Sequence, residues 1–397
     1  MVATSALRER GFADVKRLCY AGLDAPTLLR EVVGRLRPVV PYEAYAALTT
    51  DPVSGLLTRL MSDEIGGENE RRTYLEHIYF EEEWDEQRRM VQNRVSVALL
   101  SDVTGGQLER AGRWREIIGP LGFGFDLMTL CTVGREQWGT LCLLRERGRP
   151  DFDAQEVALL QRITPHVAAG LKAAALHAVA STAPVGDSVP GVLVLDDRGR
   201  VLQFTAAAER WLRDLEDLGP GWREGGGLPA PVWMVVGALR RALRPETEQD
   251  LHDGPRIRVP TRSGRWLTFH GAQTQSHAGR AGETMIIVEP SGPRELAWLR
   301  EAAYGLSERE RAVVDRVAQG ASTKEIARAL FISEYTVQEH LSHAFDKVGV
   351  RGRRALVKRL FFDNLFPALC ASSENGEVQL GGARTSAAPR PDLGAQI

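Results

Sequence analysis

The chain has no apolar run near the roughly 20 residues needed to span a bilayer. Its longest, Val232 to Leu239, is less than half of that, so no membrane-crossing segment is expected. The opening MVATSALRERGFADVKR has no hydrophobic signal core, and a cytoplasmic location is expected. Cysteine is sparse: Cys19, Cys131, Cys142 and Cys370 are scattered without a C-x-x-C pair, the pattern of reduced structural thiols. Neither sign of charge dominates, since 50 basic against 52 acidic side chains leave −2, which excludes a wholly basic nucleic-acid coat. The phosphate loop G-x-x-x-x-G-K-[ST], the nucleophile elbow G-x-S-x-G and the metal pair H-E-x-x-H are all missing. No enzyme, cofactor or metal site is therefore expected.

What is present is an ordinary globular composition, 43% hydrophobic and 26% charged over 397 residues, which calls for two or three domains. Residues 178–190, AVASTAPVGDSVP, are small, polar and twice broken by proline, as a linker would be. A second break falls at Pro290-Ser-Gly-Pro293, before a linker helix at 291–304. Residues 366–397 lack apolar periodicity and are expected to form a disordered tail.

Within 1–177, Asp24 caps the amphipathic PTLLREVVGRL, and a longer polar helix starts at Glu68. FDLMTLCTV from Phe125 and WGTLCLL from Trp138 flank Gly134 to Gln137 as a hairpin. Asp153 and Glu156 then form a capping box at the head of a long helix running to Leu176. This layout resembles a GAF-type sensor. Residues 191–290 open with strand, tight Asp197-Arg-Gly-Arg200 turn, strand and alanine-rich helix, and close with three more strands around Arg262-Ser-Gly-Arg265. That order resembles a PAS-type domain. The acidic pair Asp196 and Asp197 does not mark a phosphate receiver, because a strand rather than a helix follows it, and Asp250 and Asp253 sit in polar sequence. Trp138, Trp211 and Trp266 are read as core residues ahead of a ligand-pocket role.

From Leu306 to Phe361 the chain reads LSERERAVVDRVAQGASTKEIARALFISEYTVQEHLSHAFDKVGVRGRRALVKRLF. Ser307 with Glu310 and Ser322 with Glu325 make two capping boxes, Gly320 stops the first helix, and Ser333 caps a third after a short turn. Two short helices joined so tightly form a helix-turn-helix. On the third, Val337, Leu341, Ala344, Phe345 and Val348 share one side, and Tyr335, Gln338, Glu339, Ser342 and His343 the other. A helix about 10–12 Å across with short polar side chains can enter the roughly 12 Å major groove and bond base edges. Double-stranded DNA is the expected partner.

Eleven basic and 7 acidic side chains give this segment a formal +4, leaving −6 elsewhere. Arg351, Arg353, Arg354, Lys358 and Arg359 cluster after the third helix, as phosphate attraction requires. Glu339 repels phosphates but can accept a hydrogen bond from cytosine N4. His340 and His343 lack a third ligand, so metal binding is not assigned.

The words L-S-E-R-E, K-E-I-A, F-I-S, T-V-Q-E-H-L and K-V-G-V closely resemble the LuxR-type helix-turn-helix of bacterial transcription regulators, over about one seventh of the chain. The resemblance implies that Gln338, Glu339 and Ser342 face bases. It places Thr323, Lys324, Tyr335, Thr336, His340 and Lys347 at the phosphate backbone. It also implies that Leu356, Val357, Leu360 and Phe361 on a fourth helix pair two subunits, so that a homodimer reads two half-sites. The resulting expectation is a multidomain α+β transcription regulator: a GAF-like mixed α/β sensor (1–177), a PAS-like α/β domain (191–290) and a four-helix LuxR-type unit (305–365). A small-molecule ligand for the sensory blocks and RNA polymerase are candidate partners. The rival reading is a sensor or scaffold that acts by protein contact without binding DNA.

Overall fold

The computed structural model describes residues 5–63, 67–180, 189–219, 221–224, 227–243, 255–274, 282–292, 295–296, 299 and 304–362. The expected tail 366–397, Cys370, Asp250, Asp253 and most of the expected linkers lie outside them. The fold is mixed, with two antiparallel five-stranded sheets and a separate helical unit.

The first sheet comprises β1 (Ala44–Thr50), β2 (Leu57–Asp63), β3 (Val97–Leu99), β4 (Phe123–Val133) and β5 (Glu136–Glu146), in the order β2-β1-β5-β4-β3. The β4–β5 hairpin closes at Gly134, whose φ of 63° favours glycine. Because successive strand residues face opposite sides, Ala47, Leu127 and Leu141 pack on one face under α1 (Ser5–Cys19), α2 (Ala25–Leu36) and the long helix α6 (Ala154–Ala180). The alternate residues Leu48 and Met128 face the other way. There the chain between β2 and β3 forms α3 (Glu68–Thr73), a stretch of wide turns (Tyr74–Glu83) and α4 (Trp84–Asn93), and α5 (Leu100–Thr104) follows β3.

The Asp153 box forms as expected, with Glu156 N donating to Asp153 at 2.8 Å and Asp153 N donating to Glu156 at 2.9 Å. Gly170 lets α6 meet α1, since a Cβ there would lie 2.8 Å from the Cys19 carbonyl. Cys19 and Cys131 are buried and unpaired by disulfide, and burial pushes the Cys19 thiol up to about 12.

The second sheet repeats the same strand permutation. Its members are β6 (Gly191–Leu195), β7 (Val201–Phe204), β8 (Arg256–Pro260), β9 (Trp266–Gln273) and β10 (Thr284–Pro290), ordered β7-β6-β10-β9-β8. Asp196 builds the β6–β7 turn by accepting from Arg198 N and Arg200 N at 2.9 and 2.8 Å, a structural use of the acidic pair. Helix α7 (Ala206–Arg213) caps on Thr205, whose hydroxyl accepts from Ala208 N at 3.2 Å.

Helix α8 (Ala230–Ala242) contains the longest apolar run of the chain and is buried from Ala230 through Leu239. It is apolar all round because it lies between the sheets, against β2 and the wide turns on one side and β8 and β9 on the other. One core therefore joins Leu48, Leu57, Tyr79 and Phe80 of the first unit to Leu193, Trp233, Phe269 and Ile286 of the second. Arg241–Asp85 (2.8 Å), Arg71–Asp217 (2.9 Å) and Arg258–Asp51 (3.3 Å) rim the junction. Leu296 and Leu299 return to the first unit's core. No described helix is long and apolar enough to cross a membrane.

Beneath the first sheet, Arg113 is held between Asp126 (2.9 Å), Glu83 (3.4 Å) and Glu86 (3.4 Å). Burial raises the Glu83 carboxyl to about 7, against the opposing pull of Arg113 and of the Tyr74 hydroxyl, which donates to it at 2.7 Å. Between its ordinary value of 4.5 and about 7, the folded protein holds a proton that the unfolded chain has lost. Glu83 therefore favours folding at acid pH, and that contribution disappears as pH rises through 7. Burial moves Asp126 in the same direction. Glu83→Gln should flatten the fall in stability between pH 5 and 8 by on the order of 2–3 kcal/mol, because the amide oxygen still accepts from Tyr74. Urea midpoints at both pH values check this, and an unaltered pH slope would contradict it.

Candidate nucleic-acid interface

The helical unit is assembled from locally encoded starts and stops. Ser307 Oγ accepts from Glu310 N (3.3 Å) while Glu310 accepts from Ser307 N (2.6 Å), opening α9 (Glu308–Ala318). Ser322 and Glu325 repeat the arrangement at 3.3 and 2.7 Å to open α10 (Thr323–Leu330). That helix ends at Phe331, a left-handed residue with φ of 55° and 95% exposed. Ser333 Oγ then accepts from Thr336 N (3.0 Å) to start α11 (Glu334–Val348), which stops at left-handed Gly349. A short α12 (Arg353–Val357) continues in wider turns through Lys358–Phe362.

Val337, Leu341, Ala344 and Val348 of α11 are buried against Val313, Val314 and Val317 of α9 and Ile326 and Ala327 of α10. The opposite face is open: Tyr335 is 80% exposed, and Gln338, Glu339, Ser342 and His343 are exposed. Thr336 and His340 are half-buried at its edges, Thr336 bonded to the Ser333 hydroxyl at 2.8 Å. Lys324 and Arg328 on α10, with Arg351, Arg354, Lys358 and Arg359, are exposed.

Thr323 is a junction. Its hydroxyl accepts from Gln338 Nε2 at 3.1 Å and from Arg353 at 2.6 Å, and Arg353 also donates to the Ala321 carbonyl at 3.0 Å. One side chain thus sets the start of α10 against both α11 and α12. The charge cluster names Arg353 in the sequence, but only the tertiary arrangement makes it a strut.

Some of the expected site residues have partners within the chain. Lys347 was placed at the phosphate backbone, but its ammonium lies 2.7 Å from Glu310 Oε2 and 3.2 Å from the Gly305 carbonyl. Burial opposes ionisation of Glu310, yet the Lys347 ammonium and Ser307 hold its carboxyl below the ordinary value. Lys347 therefore locks α11 to the head of α9. Leu356 and Leu360 were expected to pair subunits, but both are fully buried in the unit's own core, because their four-residue spacing turns them inward against α9. Val357 is half-buried beside Arg354 and Lys358, and the side chain of Phe361 lies outside those described.

A contact without a local sequence signal ties this unit to the first sheet. Arg311 of α9 pairs with Glu136 in the β4–β5 hairpin, and Glu136 also lies 3.6 Å from Lys172 of α6.

The family model for bacterial regulatory proteins of the luxR family matches residues 304–360. The spore germination protein GerE of Bacillus subtilis (strain 168) is 51% identical over 55 residues, which are 14% of this chain and 74% of GerE. The chain belongs to the luxR family of bacterial regulatory proteins. A longer match, 43% over 96 residues, links this luxR-family chain to the probable HTH-type transcriptional regulator GfsR of Streptomyces halstedii, covering 23% of the chain and 40% of GfsR. A solved GAF domain from a phosphoenolpyruvate-protein phosphotransferase of Coxiella burnetii is 19% identical. It covers 45% of this chain and 98% of that domain at a TM-score of 0.30.

Proposed function

We propose that this luxR-family regulator reads double-stranded DNA by inserting the N-terminal half of α11 into the major groove. In this reading Gln338, Glu339 and Ser342 meet base edges, while Thr323, Lys324, Tyr335, Thr336 and His340 meet the phosphate backbone. The supporting observation is the face itself: a helix capped at both ends buries Val337, Leu341, Ala344 and Val348 and leaves Tyr335, Gln338, Glu339, Ser342 and His343 exposed on the other side. Side chains with that chemistry on a helix of that diameter match the groove's donor and acceptor pattern.

In the same proposal, residues 1–177 and 191–290 are GAF-like and PAS-like sensory domains that take a small-molecule ligand, and 305–365 is the DNA-binding head. Two heads pair through the surface around Val357, so that a dimer reads paired half-sites. The protein acts in the cytoplasm as a regulator rather than an enzyme, and RNA polymerase is its partner at a promoter.

Lys324→Ala is expected to weaken binding to all duplexes alike and to lower the salt slope by about 1, whereas Gln338→Ala should cost about 1–3 kcal/mol on the preferred site only. Titration of both variants against specific and scrambled duplexes at several salt concentrations measures this. Identical effects would contradict the roles, and a salt-insensitive wild type would favour action by protein contact.

A further inference from the structure

Between the two sheet units lies a cavity of about 290 Å³, close to the lower end of small-molecule sites, which commonly form where units meet. Its walls come from β1, β2 and their turn (Thr50, Asp51, Arg59), the second half of α6 (Leu171, Ala174, Ala175), Trp138 of β5, the β8–β9 region (Arg258, Arg262, Trp266), the start of α2 at Asp24, and Glu216. Both units are needed to form it.

In the lining, Thr50 Oγ1, Arg258 Nε and Trp266 Nε1 are buried without a hydrogen-bond partner among the described residues. Thr50 and Trp266 are themselves only 5% and 6% exposed. These atoms expose almost no surface to the cavity, so the groups that an occupant meets are the apolar walls and the arginine at the rim.

The lining carboxylates are already engaged. Asp51 accepts from Arg258 N at 3.0 Å, Glu216 pairs with Arg59, and Asp24 caps α2 through Thr27 N at 2.8 Å. Arg262, exposed at the rim, donates to the Arg213 carbonyl and meets no carboxylate among the described residues. The apolar side is supplied by the two indoles and by Leu171, Ala174 and Ala175 of α6.

We propose that this cavity binds a small aromatic carboxylate, its ring between the Trp138 and Trp266 walls and its anionic group toward Arg262. The inference rests on the reading of the sheet units as small-molecule sensors and is independent of DNA reading. The site adjoins the link to the DNA-binding head: Lys172 lies 5.7 Å above the Trp138 ring and 3.6 Å from Glu136, the residue that pairs with Arg311.

The test is calorimetric titration of the full chain with 2-naphthoate, 2-naphthamide and protonated 2-naphthylmethylamine, each up to about 1 mM. The expected result is that the carboxylate binds at least about ten-fold tighter than the other two. Ala174→Phe, which fills the cavity, should abolish that binding with the far-UV circular dichroism spectrum retained. Arg262→Gln, on the exposed rim, should weaken the carboxylate about ten-fold and leave the amide unchanged. Equal or tighter binding of the amine, or no binding of any compound, overturns the proposal. Binding that survives both substitutions also overturns this site while leaving small-molecule sensing elsewhere in the chain intact.

Discussion

Arg113→Met is expected to destabilise the first sheet unit by about 3–5 kcal/mol at pH 8. The guanidinium is 6% exposed and is faced by three acidic side chains: Asp126 on β4, Glu83 in the wide turns and Glu86 on α4. Methionine fills a similar length without charge, so the loss isolates the electrostatic role from a cavity effect. Burial already raises the Glu83 and Asp126 carboxyls. Without the guanidinium they protonate more readily still, which relieves part of the penalty, so the loss should be smaller at pH 5. Urea denaturation of both proteins at the two pH values decides the matter. A loss below about 1 kcal/mol at pH 8 would show that the three carboxylates do not depend on Arg113.

Leu341→Ala should remove DNA binding by unfolding the head rather than by touching the duplex. Leu341 is 1% exposed at the centre of a core containing few large side chains. Truncating a buried leucine costs about 2–5 kcal/mol, comparable with the whole stability of a unit this small. The sheet units are held by cores that contain no residue of the head and should keep their cooperative unfolding. Hydrogen exchange should then show protection lost across α9 to α12 and retained in β4 and β5. Full protection of α11 in the variant would refute this account, and Ser342→Ala, on the exposed face, provides the comparison in which the head stays folded.

Much of the DNA-binding head was legible because its signals are short-range. Capping boxes at Ser307 and Ser322, the Gly320 stop and the Ser333 cap each depend on residues within a few positions of one another, and all appear in the structure. The buried stripe of α11 follows from helical periodicity alone. At α12 periodicity alone leaves two readings, because a stripe of Leu356 and Leu360 serves equally well as a partner surface or as core. Nothing local distinguishes the two, and packing against α9 made them core. Lys347 shows the corresponding ambiguity for charge, since a lysine near a groove-facing helix serves a phosphate or a carboxylate according to what folds beside it.

The amino-acid sequence by itself determined the helix-turn-helix, the β4–β5 hairpin, the capped α6 and the open polar face of α11, because caps, turns and periodic burial act within one or two turns of chain. Only the tertiary structure decided that α8 is shared between the sheets, that Glu136 meets Arg311, that Arg113 gathers three carboxylates, and that the units enclose a cavity lined by Trp138 and Trp266. Those contacts join residues far apart in the chain, and which side chains meet there depends on how complete surfaces pack, a property that no short stretch of sequence contains.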